Sequence, residues 1–143
     1  MFIHPVHAKH KTNSNKARER KKIVMKAKSK VGSRYVYGAA HSYSALRNKR
    51  QRKFDCSGFV SWVYHQSGCS IGIRTSSSMR RVGRRVSKSH LKKGDILIFP
   101  HHVAIYIGNN KIVHAQNRRT GVVTSRYKGH WSSRTKMVRR VIN

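Results

Sequence analysis

The chain has 143 residues, enough for one domain with a real core, and carries 33 Lys and Arg against three acids, a formal net charge of +30. That balance points to a polyanionic partner, either nucleic acid or an anionic cell wall or membrane surface. No apolar run is long enough to span a bilayer, aromatics are thin for base stacking, and no nucleic-acid-binding signature appears, so a specific nucleic-acid function is not expected.

At the N-terminus there is no full signal peptide, yet Val6-His7-Ala8 resembles the small-residue end of a secretory cleavage site. A secreted or wall-associated location is expected, reached through a start codon upstream of the given one or by phage-encoded release. Residues 1–20 read as a basic, flexible leader and residues 21–143 as one domain. Ile23, Val24, Ala27 and Val31 recur at helical spacing, which predicts a short amphipathic helix ended by Gly32. The following "SRYVYGAA" is apolar and aromatic but too short for a helix, and His41 to Lys53 is basic without periodicity, an exposed loop.

"FDCSGFVSWVYHQSG", Phe54 to Gly68, reads as a helix with Phe59, Val60, Val63 and Tyr64 on one face and Gly68 as its stop. Cys56 falls in its first turn, with Asp55 and Ser57 as helix-start residues and Gly58 keeping the neighbourhood open. A helix N-terminus and an adjacent imidazolium can together turn a thiol into a nucleophilic thiolate by lowering its pKa. Taken alone, the stretch favours a small structural cysteine. A disulfide to Cys69 is not expected, because a helix rising about 1.5 Å per residue separates the two by more than the ~7 Å limit.

Thr75 to Val82 predicts a further short helix capped by Thr75. Beyond Lys93, "DILIF", "HVAIYIG", "KIVHA", "GVVTSRY" and "KMVRRVI" read as a meander of antiparallel strands. Helices first and strands afterwards indicate an α+β domain. Asp95, at the start of a strand, reads as structural.

A cysteine nucleophile needs a base, and the base needs a partner to orient it. His102 and His114 share a sheet face only if the hairpin between them has the right register. A two-residue turn at Asn109-Asn110 would set His114 opposite Ile105. A three-residue loop, Gly108-Asn109-Asn110, sets it opposite Ala104 and diagonal to His102, and this loop is predicted because Asn tolerates the left-handed region after Gly. Val103, Ile105 and Ile107 then occupy the opposite face, and His101 is exposed. A metal site from these histidines is not expected, since the carboxylate or thiolate ligands of common zinc sites are missing.

"VGSRYVYGAA", "FDCSGFVSWVY", "RTSSSM", "LKKGDILIF" and "HHVAIYIGNNKIVHA", in that order from about Ala27 to Val141, resemble the NlpC family of bacterial cell-wall cysteine peptidases. The resemblance implies a papain-like α+β core, with N-terminal helices on a five- to six-stranded antiparallel sheet and the nucleophile at a helix N-terminus. It implies hydrolysis of peptidoglycan stem peptides between γ-D-glutamate and the diamino acid, without metal or cofactor. Cys56 matches the nucleophile, His102 its base and His114 the orienting residue. Tyr35 is implied to hold substrate or oxyanion beside the Cys56 amide, although the family's Tyr-x-Trp-Gly-Gly reads "YVYGA" here. Asp55, with Ser57 beside it, is either a helix cap or a carboxylate facing the substrate's amine. Arg74 either lines the cleft with Thr75 and Ser76 or is an exposed arginine beside a cap.

The charge implies adsorption to anionic wall polymers such as teichoic acids, and a monomer is expected. The basic insertion His41 to Lys53 either touches the wall polymer or decorates the surface. A related CHAP-type amidase or cross-bridge endopeptidase, an acyltransferase, and a non-catalytic polyanion-binding protein on a hydrolase scaffold are the alternatives.

Overall fold

The computed structural model describes residues 12–143, so Val6-His7-Ala8 and the first part of the expected leader lie outside the described residues. Helix α1 spans Asn13–Ser29 and is capped by Thr12, whose hydroxyl accepts the Asn15 amide at 3.1 Å. It therefore begins inside the segment read as a flexible leader. Lys, Arg, Ala and Glu are strong helix formers, and a polar first half can stay in water while Ile23, Val24 and Ala27 bury the second half.

Strand β1 (Arg34–Tyr35) pairs in parallel with β2 (Lys53–Phe54). Between them lies the basic insertion, and here the expected exposed loop is corrected. It contains helix α2 (Tyr43–Arg47), capped by Ser42, with Leu46 fully buried. Its backbone is tied to the next helix: Trp62 Nε1 donates to the Asn48 carbonyl at 2.9 Å and Gln66 Nε2 to the Leu46 carbonyl at 2.7 Å. One buried leucine among basic residues leaves no periodicity to read, yet it is enough to anchor the segment.

Helix α3 spans Cys56–Gln66 and is buried all round from Cys56 to Tyr64, not on one face as the pattern suggested. Phe54 packs edge-on against both Phe59 and Trp62 at its start. Gly68, at φ 82°, ends the helix as expected. Gly58 has a different reason from the one read in the sequence: a Cβ there would meet the Ala39 carbonyl oxygen at 2.1 Å. It admits the β1–α2 connection, not open space for a ligand.

A 3-10 turn at Ser78–Arg81 replaces the helix predicted over Thr75 to Val82, with Thr75 and Ser78 bonding each other's amides through their hydroxyls. The sheet comprises β3 (Arg84–Val86), β4 (Ile96–Phe99), β5 (His102–Gly108), β6 (Lys111–Asn117), β7 (Gly121–Arg126) and β8 (Met137–Arg140). Its order is β3-β8-β4-β5-β6-β7 with every neighbour antiparallel. Strands β4 to β7 form the expected meander. β8 returns to the far side of β4 and pairs with β3, a short basic strand whose pattern gave no signal.

That return brings Arg140 onto Asp95, with Nε and Nη2 each 2.8 Å from a carboxylate oxygen and both residues buried. Asp95 also accepts the Lys92 amide at 2.8 Å, which makes it structural, as read. One sheet face (Ile98, Val103, Ile105, Ile107) packs in the core with α1 and α3. The other (Leu97, Phe99, Ala104, Ile112) packs with Tyr127 and, at its margin, Trp131.

The hairpin between β5 and β6 corrects the predicted loop. Gly108 pairs with Lys111 around a two-residue turn, and Asn109 and Asn110 both have positive φ, 51° and 62°. The register then slips by one between Tyr106 and Gly108, so that Tyr106 faces Ile112 and Ile105 faces Val113. The extra residue expected in the loop sits instead in a bulge at Ile107. The register beyond it continues to Ala104 opposite His114, so the two histidines share a face after all.

Candidate active site

Cys56 is the first residue of α3, and Asp55 is its N-cap, accepting the Gly58 amide on Oδ1 at 2.7 Å. The cap reading of Asp55 therefore holds. Its carboxylate also takes the Ser57 hydroxyl at 3.3 Å and the Gly38 amide at 3.0 Å. His41 Nε2 lies 2.8 Å from both oxygens and 3.4 Å from Ser57 Oγ. His41 was read as part of an exposed basic stretch, and only the tertiary structure brings it to the helix start.

The Cys56 thiol is buried, and its pKa is raised, first by burial and then by the neighbouring Asp55 carboxylate. The amides of Val103, Ser57 and Cys56 itself pull the other way. The sequence-based expectation of a lowered pKa is thus reversed: helix-end amides are present, but burial outweighs them. The Val103 amide also locates the sulfur, because Val103 follows His102 at the start of β5. Tyr35 is half-buried, and its phenol pKa is raised by burial, Cys56 and Asp55, while Arg118 from the β6–β7 turn lowers it. Tyr35 therefore stays a neutral hydroxyl donor beside the sulfur.

His102 Nε2 lies 2.8 Å from His114 Nδ1, and His114 Nε2 lies 2.8 Å from Ser125 Oγ. One tautomer pair satisfies both contacts with His102 Nε2–H donating to His114 and His114 Nε2–H donating to Ser125, which leaves His102 Nδ1 without a proton. Phe99 stacks on His102 at 5.8 Å between ring centroids, and Trp131 meets the edges or faces of both imidazoles at 5.4 and 4.8 Å. Burial lowers the pKa of His102 to about 4, and burial together with His102 lowers that of His114 to about 3. Both rings are neutral near pH 7.

The structure therefore gathers Cys56, Asp55, Ser57 and Tyr35 at the helix start and His102 with His114 on the sheet. Arg74 takes no part in these networks: it is half-buried, and its Nε donates to the Ile71 carbonyl at 2.7 Å. His101 is exposed, as read. Ser125 and Trp131 were missed along with His41. Ser125 becomes visible only once β6 is registered on β7, where Ile112 faces Ser125 and His114 faces Val123. Among the described residues, no group of three or more His, Cys, Asp or Glu is placed to hold a metal ion. None of the described helices is long and apolar enough to cross a membrane.

The model of the NlpC/P60 family matches residues 32–140. The chain is 35% identical over 117 residues to the peptidoglycan DL-endopeptidase CwlO of Bacillus licheniformis, covering 77% of this chain and 25% of that protein. It is 32% identical over 121 residues to the murein DD-endopeptidase MepS/murein LD-carboxypeptidase of Escherichia coli K12, covering 81% of this chain and 64% of that one. The chain thus spans a quarter to under two thirds of the length of these two relatives. The fold matches the peptidoglycan hydrolase RipB of Mycobacterium tuberculosis with a TM-score of 0.78, at 24% identity and covering 99% of this chain and 74% of that one. Helices packed on a six-stranded antiparallel sheet are the papain-like α+β architecture expected from the motifs, and the chain belongs to the NlpC/P60 family.

Proposed function

We propose that this chain is a cysteine endopeptidase of peptidoglycan, cutting stem peptides at the γ-D-glutamyl–diamino acid bond. The observation that carries the reading is a thiol at the first position of a buried helix, reached by the amide that follows His102, with His102 bonded to His114 and His114 to Ser125. Because burial keeps thiol and imidazole both neutral near pH 7, the proton moves when the substrate carbonyl arrives, not before. His102 Nδ1 takes it as Sγ bonds the carbonyl carbon, and the developing oxyanion faces the Cys56 amide and the Tyr35 hydroxyl. His102 then gives the proton to the leaving amine as the C–N bond breaks. Water, deprotonated by His102, hydrolyses the thioester and returns the proton to sulfur.

A cleft of about 670 Å³ lined by Arg34, Tyr35, Tyr37, Arg118 and Arg119 adjoins Tyr35 and offers an approach for an anionic peptide. The +30 charge supports adsorption to anionic wall polymers such as teichoic acids, and with it a secreted or wall-associated site of action. Digestion of purified walls followed by mass spectrometry tests the bond. A new amino terminus on the diamino acid is expected; one at a cross-bridge or D-Ala junction, or release of the peptide from the sugar, overturns the choice of bond. Cys56→Ala should abolish cleavage and leave adsorption intact, while adsorption should weaken steeply with salt.

A further inference from the structure

Between β7 and β8 the chain runs from Tyr127 to Lys136 beside the sheet face turned away from α1 and α3, and it is fastened there at both ends. At one end the Tyr127 amide donates to the Asn110 carbonyl at 2.8 Å and the Lys128 amide to Asn110 Oδ1 at 2.8 Å. At the other the Lys136 amide donates to the Ile98 carbonyl at 2.7 Å. In between, the Thr135 hydroxyl bonds the buried Tyr127 hydroxyl at 2.7 Å and donates to the Trp131 carbonyl at 3.0 Å. The Trp131 backbone is thus tied to the sheet through its neighbours.

Its indole meets four rings. The centroids of His114, His102 and Phe99 lie at 4.8, 5.4 and 5.1 Å, and that of His130 at 4.8 Å. Of these, His114 and Phe99 are buried and only His130 is exposed. The indole therefore touches solvent-facing His130 on one hand and the His102–His114 pair on the other. Charge has little part in the environment of the pair. Burial acts on both rings and His102 acts on His114, while Cys56 and Asp55 at the start of α3, His101, Arg126 on β7, and His130 and Arg134 in the connection do not contribute.

We propose that Trp131 is a positioning residue of the active site: its indole is a fixed wall that sets the orientation of His102 and keeps water from the His102–His114 pair. This rests on His102 being the base of the proposed reaction. A dry imidazole resists protonation, so the wall extends the working form of the base into acid. An indole also attracts an imidazolium, but that attraction is worth about one pH unit, whereas full burial can cost the charged ring roughly three or more.

The test is proton NMR of the imidazole C2 protons against pH, with His102 and His114 assigned from His102→Gln and His114→Gln. In the wild type both rings are expected to titrate below about pH 5. Trp131→Ala should raise the His102 midpoint by about one pH unit or more, and Trp131→Phe, which keeps a ring, by less than half as much. Val138→Ala opens a cavity in the same apolar cluster two strands from β5 and should leave both midpoints in place. The acid limb of kcat/KM should move up with the His102 midpoint in Trp131→Ala, while KM at pH 8 stays unchanged. A wild-type midpoint above about pH 5 overturns the proposal whatever the variants do. So does a midpoint that stays or falls in Trp131→Ala, or an equal rise in Val138→Ala. The spectra read the imidazoles and not hydrolysis, so an inactive protein with the expected midpoints refutes the proposed endopeptidase and leaves the wall standing.

Discussion

On the helix side of Cys56, a buried carboxylate is held by the Gly58 and Gly38 amides, the Ser57 hydroxyl and His41, with water reaching the imidazole. On the strand side, His102 and His114 sit among Phe99 and Trp131, and burial keeps both rings neutral. The sulfur thus has the Asp55 carboxylate on one side and, on the other, the Val103 amide that follows His102. The difference teaches that burial holds both the thiol and the two imidazoles in their neutral forms near pH 7, so the proposed mechanism starts from neutral partners with the helix-start amides already in place.

Removing the base tests the strand side most severely. His102→Ala is expected to cut kcat by roughly 10²- to 10⁴-fold on wall substrates with little change in fold, measured by peptide release and circular dichroism. An unaffected kcat would mean that the neutral side does not carry the proton.

The helix side should be the more fragile in packing. Gly58→Ala drives a Cβ into the Ala39 carbonyl, and a loss of about 1–3 kcal/mol in urea unfolding is expected. Full stability in that variant would show that the connection over the cap is free to move, which a rigid Asp55–His41 contact does not allow.

The pH profile probes the strand side. His102 and His114 titrate at about 4 and about 3 in the folded protein, against about 6.5 for an unfolded chain. The unfolded state therefore binds more protons in this window, so the stabilisation is fully present above about pH 6.5 and is lost as pH falls toward 4 and then 3. Melting temperature should fall across that range in the wild type and less steeply in His114→Gln. Equal slopes would place the acid sensitivity elsewhere.

The smallest effect is expected at the end of the chain of imidazoles. Ser125→Ala removes one hydrogen bond, worth about 1 kcal/mol, and should lower kcat several-fold while KM stays put. A change in KM alone would mean that Ser125 touches substrate instead of orienting His114.

The chain's local chemistry was legible where a rule acts between near neighbours. Cys56 at a helix start, Asp55 as its cap, Gly68 as its stop and the strands from β4 to β8 follow from capping, backbone freedom and alternation. The shared face of His102 and His114 was reached through a loop that does not exist. The extra residue sits in a bulge at Ile107, because two asparagines satisfy a tight turn and the strand absorbs the mismatch. Parity of residues between two positions can be counted in a sequence, but where the odd residue goes depends on competing turn and strand geometries.

Partnerships across the chain were not legible. His41 meets Asp55, Ser125 meets His114 and Arg140 meets Asp95 only because β2, β7 and β8 fold back beside the elements they serve. The direction of the Cys56 pKa shift belongs to the same class. The sequence alone determined which residue opens the helix and that its own first amides and the Asp55 carboxylate lie beside it, whereas the Val103 amide and the burial that most strongly decides whether the thiol is charged at rest are properties of the packed chain.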